Sequence, residues 1–327
     1  MQKGASMKAS EIQKCTCLGA GIIGSSWATN FAMRGYAVCV CDIKPEQLAE
    51  AKKNIANNLD FLVSKGILTA EASLQAQGRV TYSTSVKDAV KDVQFIQESG
   101  PENYEIKQHL LGEIEKYTSS ETIVASSTSG LLITEIAKFA SHPERCIGGH
   151  PYNPPHLIPL VEITKGEKSG TEAVKCAFDF YNLLGKEPVV LHKETLGFIA
   201  NRLQRAITRE ATDLVMRGVC SVEDIDKAVL YGPGLRWAIL GPNLVMHLGG
   251  GAQGIKGLIT HIRDSGNLWL KDMADWTQEP EDWADMAQEG VLQEIKNRPA
   301  ELGRTTAEIA EFRDNMLIAL LKLHKKL

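Results

Sequence analysis

The sequence has no run of about 18 consecutive apolar residues, the length a membrane-spanning helix needs, so a helical membrane protein is excluded. Nor does it carry an excess of positive charge. Its 36 Lys and Arg stand against 40 Asp and Glu, a net charge of −4. That balance offers no electrostatic footprint for nucleic acid or an anionic lipid surface, and neither is expected as a partner. The start, MQKGASMKASEIQKC, is too polar for a signal peptide, and Met7 offers an alternative start. There is no internal repeat and no low-complexity linker. Cysteines number seven, and an odd, scattered set fits a reducing compartment, so the cytoplasm is the expected location. Cys15 and Cys17 alternate in one apolar run, Cys39 and Cys41 in the next. Two such pairs raise the question of a metal site or a disulfide. Zinc sites favour turn-borne C-x₂₋₄-C spacing, so the reading adopted is small side chains packed within buried strands, with no metal.

What is present is an ordinary globular composition: 327 residues, 43% hydrophobic and 23% charged. Disorder, collagen and coiled-coil arrays are excluded, and the length suggests roughly two domains with separate cores. Through residue 190 or so, short apolar runs alternate with helical patterns. The predicted strands are Ile12–Leu18, Tyr36–Cys41, Arg79–Tyr82, Val93–Glu98, Thr122–Ser126, Arg145–Gly149, Ile158–Thr164 and Glu187–His192. Between them, 3.6-residue periodicity predicts helices such as Ile22–Arg34, Pro45–Ser64, Tyr104–Tyr117 and Gly170–Leu184. After Glu194 the strand signal stops, and Gly197–Arg217, Ser221–Leu230, Arg236–His247 and Thr305–Lys326 read as helices. The expected fold class is α/β. A Rossmann-type, doubly wound, mainly parallel sheet would span 1–194, and an all-α domain 195–327. Trp269, Trp276 and Trp283 recur at sevenfold spacing, a stripe that could form an interface but is read as covering the helical core.

The strongest local motif is Leu18-Gly19-Ala20-Gly21-Ile22-Ile23-Gly24, which follows a predicted strand and opens a predicted helix. Gly19 permits the tight turn and Gly21 a close approach of the backbone to a pyrophosphate. Gly24 lets the helix pack on the strand, while the helix start at Ile22 and Ile23 offers free N–H groups to phosphate. Asp42, at the end of the second strand, would accept hydrogen bonds from the adenosine ribose hydroxyls and repel a 2′-phosphate. NAD is therefore the expected cofactor, with Lys44 a small counterweight.

A second run is rich in proline: Gly149-His150-Pro151-Tyr152-Asn153-Pro154-Pro155-His156-Leu157-Ile158-Pro159-Leu160-Val161-Glu162. A stiff loop there would return the Glu162 carboxylate beside the His150 imidazole, the pairing that fixes a tautomer and stabilises imidazolium for general-base chemistry. Taken with Ser126-Ser127-Thr128-Ser129-Gly130 and Gly197-Phe198-Ile199-Ala200-Asn201-Arg202, in order and at matching spacings over nearly the whole chain, these motifs resemble the 3-hydroxyacyl-CoA dehydrogenase family. The resemblance implies that Ser129 and Asn201 complete the active site with His150 and Glu162. It also implies that Glu102 and Lys107 border the nicotinamide side of the cofactor cleft, and that the helical domain forms a homodimer.

Within that family several segments resemble the branch acting on free acids, the L-carnitine dehydrogenases and L-gulonate 3-dehydrogenases (relatives of lambda-crystallin). They include Phe95-Ile96-Gln97-Glu98-Ser99-Gly100-Pro101-Glu102 and Gly232-Pro233-Gly234-Leu235-Arg236-Trp237. The expected reaction is NAD-dependent oxidation of a small polar L-3-hydroxy acid to the 3-keto acid. Arg236 is the candidate for a substrate carboxylate, which guanidinium binds bidentately. Tyr152, Tyr231 and Trp237 are available to cage a trimethylammonium group. The alternatives are a 3-hydroxybutyryl-CoA dehydrogenase and a non-catalytic, crystallin-like NAD-binding protein.

Overall fold

Cysteine, valine, isoleucine and threonine dominate the short runs that become strands in the computed structural model, which describes residues 7–327. Residues 1–6, ahead of the alternative start at Met7, fall outside the described residues. The strands are β1 (Lys14–Leu18), β2 (Ala37–Cys41), β3 (Val80–Ser83), β4 (Phe95–Glu98), β5 (Ile123–Ser126), β6 (Cys146–Pro151), β7 (Leu160–Lys165) and β8 (Glu187–Val190). All eight predicted strands are present, with ends displaced by at most two residues. They form one sheet in the order β3-β2-β1-β4-β5-β6-β7-β8. Every neighbouring pair is parallel except β6 and β7. Residues 152–159 joining that pair are too few for a helical crossover, so the chain must return antiparallel.

The helices of this half are α1 (Ile22–Met33), α2 (Pro45–Ser64), α3 (Ala70–Gly78), α4 (Val86–Ala89), α5 (Tyr104–Glu115), α6 (Ile133–Ile136) and α7 (Thr171–Leu183). One core layer stacks Trp27 and Phe31 of α1 on Phe95, Phe180 and Tyr181, with the Phe95 and Phe180 ring centroids 4.7 Å apart. Strand register decides the cysteine question. Cys15 pairs with Val38 and Cys17 with Val40, whereas Cys39 and Cys41 pair with Thr16 and Leu18. Because successive side chains point to opposite faces, the two C-x-C pairs lie on opposite sides of the sheet. All seven thiols are free. Burial pushes the Cys41 thiol up to about 12 and Cys17 higher still. No cluster of three or more metal-ligating side chains exists among the described residues.

The remainder is helical: α8 (Ala200–Met216), α9 (Val222–Tyr231), α10 (Pro233–Trp237), α11 (Pro242–Gly249), α12 (Gly254–Asp272), α13 (Trp283–Asn297) and α14 (Thr306–Leu323). The chain divides into two compact units, one running to Asn201 and including Lys326–Leu327, the other Arg202–Lys325. Several sequence expectations need correction here. The helix predicted from Gly197 begins only at Ala200, because Gly197 (φ +72°) and Phe198 (φ +51°) are in the left-handed region. The single helix predicted over Arg236–His247 is two, since Pro242 has no N–H to continue the first and instead opens the second. Helices α12 and α13 were not anticipated. The tryptophan stripe does not exist as one helical face. Trp269 lies on α12 and is 63% exposed, Trp276 lies in the intervening segment, and Trp283 starts α13. Pro280 lies in the break. No helix among the described residues is long and apolar enough to cross a membrane.

Candidate active site

The turn after β1 shows which glycines the protein itself requires. Gly19 has φ +96°, and a Cβ there would lie 2.5 Å from the Ser99 carbonyl oxygen. A Cβ on Gly24 would overlap the Gly19 carbonyl oxygen. Gly21 is different: a Cβ would meet nothing within 4 Å, so no intramolecular contact demands glycine. Gly21 instead lines a cavity of about 950 Å³ with Gly19, Asp42, Lys44, Ser99 and Pro101. Gly21 is the N-cap of α1 and lacks a capping side chain, so Ile22 and Ile23 begin the helix with N–H groups available to an anion. Asp42 follows β2, its Oδ2 accepting from Ala20 N (2.9 Å) and its Oδ1 from Lys44 N (3.1 Å). These bonds hold a fixed carboxylate at the cavity wall, the acceptor that a dinucleotide ribose's hydroxyls require. The residues present therefore fit NAD.

His150 and Glu162 are directly opposed partners of the antiparallel β6–β7 pair. His150 Nδ1 lies 2.8 Å from Glu162 Oε2, with both side chains buried. The other carboxylate oxygen accepts from Ile199 N (2.8 Å) and Ala200 N (2.9 Å) at the start of α8. Burial alone would raise the Glu162 carboxyl. The hydrogen bonds from His150, Ala200 and Ile199 together outweigh it and hold the group below the ordinary carboxylate value. An ionised carboxylate only accepts, so the imidazole must carry its proton on Nδ1, leaving the Nε2 lone pair free as a base. Phe198 packs its ring edge-on to the imidazole at 5.5 Å between centroids. Its φ of +51° is uncommon for a bulky residue and costs on the order of 1–2 kcal/mol.

The other predicted site residues are stitched to this pair. Asn201 Nδ2 donates to the Ser129 carbonyl (2.9 Å), and the Ser129 hydroxyl has no partner among the described residues. Glu102 Oε1 accepts from Thr128 Oγ1 (2.6 Å), Ser129 N (2.8 Å) and Gly130 N (3.2 Å), fixing the loop after β5. Glu162 thus holds the start of α8, α8 presents Asn201, and Asn201 and Glu102 hold Ser129 from two sides. Lys107 is placed differently from the sequence expectation. Only 2% exposed, it lies beneath the cleft rather than along it, donating to both Glu98 carboxylate oxygens at 2.9 Å and reaching Glu102 Oε2 at 3.9 Å. Glu98 and Phe198 were missed by sequence reasoning. The signal for Glu98 was available, an acidic residue closing an apolar strand ahead of a helix that carries a lysine.

Tyr152 is half-buried on the segment after β6, and burial and the Glu162 charge both raise its hydroxyl. Arg236 and Trp237 lie in the second unit, on the short helix α10. The Arg236 guanidinium is exposed and has no hydrogen-bond or ion-pair partner among the described residues.

Comparison with known proteins places the chain in a family. The family model described as 3-hydroxyacyl-CoA dehydrogenase, NAD binding domain, matches residues 14–195, and the model of the C-terminal domain matches 197–290. An L-carnitine dehydrogenase of Bacillus cereus is 35% identical over 333 aligned positions, covering 100% of this chain and 97% of that protein. One from Nocardiopsis dassonvillei is 38% identical over 324, covering 98% and 94%. Among solved structures, the NAD⁺-dependent 5-formyl-3-hydroxy-2-methylpyridine 4-carboxylic acid 5-dehydrogenase superposes with a TM-score of 0.78 at 28% identity, covering 96% of this chain and 98% of that one. With both family domains matched in order and a nucleotide cavity and His–Glu pair in place, the chain belongs to the 3-hydroxyacyl-CoA dehydrogenase family of NAD-dependent oxidoreductases.

Proposed function

We propose that this protein is an L-carnitine dehydrogenase, oxidising the 3-hydroxyl of a free L-3-hydroxy acid with His150 as the general base. The observation that carries the mechanism is the engagement of both Glu162 oxygens, one by His150 Nδ1 and one by the start of α8. His150 Nε2 takes the proton from the substrate hydroxyl, and Glu162 stabilises the imidazolium that results. Bound NAD⁺ supplies the acceptor for the hydride that leaves the same carbon. Gly21, Ile22, Ile23 and Asp42 hold the cofactor, with Glu102 at its nicotinamide side and Lys107 supporting Glu102 from beneath. The Ser129 hydroxyl and Asn201 amide orient the substrate oxygen as it becomes a carbonyl.

For the substrate, the L-carnitine dehydrogenases that match nearly the full chain support a small acid bearing a quaternary ammonium. By residue type, Arg236, which has no partner among the described residues, is the candidate for its carboxylate, and Trp237 and Tyr152 are candidates for its cation. A panel of L-carnitine, L-gulonate and 3-hydroxybutyrate with NAD⁺, set beside acetoacetyl-CoA with NADH, tests this. L-carnitine is expected to be turned over best. Turnover of acetoacetyl-CoA alone would overturn the free-acid assignment, and NAD binding without turnover of any substrate would overturn the enzyme.

The same reading includes a homodimer formed through the helical unit. Of residues 202–325, only Thr212, Gly254, Ala274, Gly303, Ile318 and Leu321 are buried. Large apolar side chains stay exposed instead, Tyr231 at 71% and Leu248 at 64% among them. A helical unit of this size without a core of its own is completed by a second copy presenting the same surface. Light scattering in solution is expected to give twice the chain mass of 35.8 kDa. A monomer would contradict it. The free thiols suit a reducing, cytoplasmic setting.

A further inference from the structure

A buried polar network lies beneath the strand that carries His150, and none of its side chains has a part in the mechanism above. Gln97 of β4 is fully buried among the aromatic core. Its Oε1 accepts from the Tyr181 hydroxyl (2.7 Å), and its Nε2 donates to Ser127 Oγ (2.8 Å) and to the Gly149 carbonyl (3.0 Å). Ser127 Oγ shares a further hydrogen bond with Ser99 Oγ at 2.9 Å, and Ser99 abuts the Gly19 turn. Burying an amide costs several kcal/mol unless it is paired, so an apolar residue would be the simpler occupant of this position. Both N–H groups and the oxygen are used here.

The position of the network gives it a purpose. The β5–β6 ladder runs through Val124↔Cys146, Ala125↔Ile147 and Ser126↔Gly148, where it stops. The next residues along the two strands are Ser127 and Gly149, the two partners of Gln97 Nε2. One rigid amide therefore bridges β5 and β6 at the point where backbone pairing ends. One residue further lies His150, and two residues beyond Ser127 lies Ser129. The Tyr181 hydroxyl that fixes the amide is seated so close to Gly149 that a Cβ there would overlap it, which explains glycine at that position.

We propose that Gln97, with Tyr181 holding its amide, is a positioning residue: it sets the separation between the strand end bearing His150 and the loop bearing Ser129. The inference rests on His150 being the base. Displacing that base by about an ångström costs up to about 10²-fold in rate.

The test compares Gln97→Met, Tyr181→Phe, Ser127→Ala and the double variant Gln97→Met/Tyr181→Phe with wild type and His150→Gln, using the best substrate of the panel. Gln97→Met is expected to lower kcat about 10- to 100-fold while leaving NADH affinity, read by fluorescence titration, within about twofold. Tyr181→Phe should act through Gln97, so the double variant should be no slower than Gln97→Met alone. Wild-type kcat in a cooperatively melting Gln97→Met protein, or additive losses in the double variant, would overturn the inference and leave the His150 assignment standing. If Gln97→Met does not fold, wild-type kcat in both Tyr181→Phe and Ser127→Ala would overturn it equally. Wild-type turnover in His150→Gln would remove the mechanism and the inference together.

Discussion

Replacing Glu162 with glutamine removes one charge and almost no volume, yet the geometry predicts that it reverses the imidazole. The carboxylate accepts three N–H groups, from His150, Ile199 and Ala200. An amide has one oxygen and one donor nitrogen. With its oxygen toward His150, the amide nitrogen faces two backbone donors, and each unmatched buried N–H costs about 1–3 kcal/mol. With its oxygen toward Ile199 and Ala200, the nitrogen faces His150 Nδ1. That clash disappears once the imidazole proton moves to Nε2. The second arrangement wins by roughly the cost of two orphaned donors, and it leaves no base toward the substrate. In serine proteases the wrong tautomer costs about 10⁴ in kcat, and loss of a general base alone about 10²–10⁴. Glu162→Gln should therefore lower kcat by about 10²–10⁴ with little change in NADH affinity and only a modest drop in Tm. Steady-state NADH formation, a binding titration and a thermal melt measure the three quantities. A folded Glu162→Gln protein with kcat within about threefold of wild type would refute the assignment, since a base oriented by this carboxylate could not survive the change. Glu162 also links stability to pH. Its carboxyl is held below the ordinary carboxylate value, so its contribution is present above the unfolded chain's value and lost as pH falls through the folded one.

The glycines of the β1–α1 turn should separate by readout. Gly21→Ala, whose Cβ meets no protein atom, is expected to keep its Tm and weaken NADH binding, whereas Gly24→Ala collides with the Gly19 carbonyl and should lose about 1–3 kcal/mol of stability. Equal Tm losses in calorimetry would refute the distinction. Arg236→Met should raise KM for a free 3-hydroxy acid by one to two orders of magnitude, the equivalent of about 1.5–3 kcal/mol for a charge-assisted bond, and an unchanged KM removes Arg236 from the site. Lys186 donates to the Pro155 and Ile158 carbonyls and lies 5.3 Å from the Trp27 ring centroid. Burial, then the Arg34 charge, pushes its amine down to about 7. Between that value and the unfolded value of about 10.4 the unfolded chain holds a proton that the folded one lacks, so stability rises with pH across the window. Urea unfolding should show the wild-type margin over Lys186→Met growing by up to about 1.4 kcal/mol per pH unit above pH ~7. A flat difference would exclude a lowered amine.

The strands, the dinucleotide turn and the His–Glu pair were legible in the chain because each is written in local periodicity or in a spacing that a short loop must close. Residues 152–159 are a case in point: a proline-rich return of that length can bring Glu162 back beside His150, the register the β6–β7 pair adopts. The start of α8 was misplaced because helical periodicity does not register the two left-handed residues at Gly197 and Phe198. The tryptophan stripe failed for a related reason, since a sevenfold spacing carries no information about a break at Met273–Asp282. Lys107 reads in sequence as a cleft residue, and only packing shows that Glu98 draws it inward.

Sequence alone thus determined the order of elements, the cofactor turn and the candidate pairing of His150 with Glu162, all of which depend on neighbours within a few tens of residues. Tertiary structure decided what lies across the sheet. It opposed the two C-x-C pairs on different faces, gave the second Glu162 oxygen to α8, and placed Gln97 where the β5–β6 ladder ends. Those outcomes depend on strand order and register, which bring together side chains 30 to 84 residues apart, such as Gln97 with Ser127 and with Tyr181.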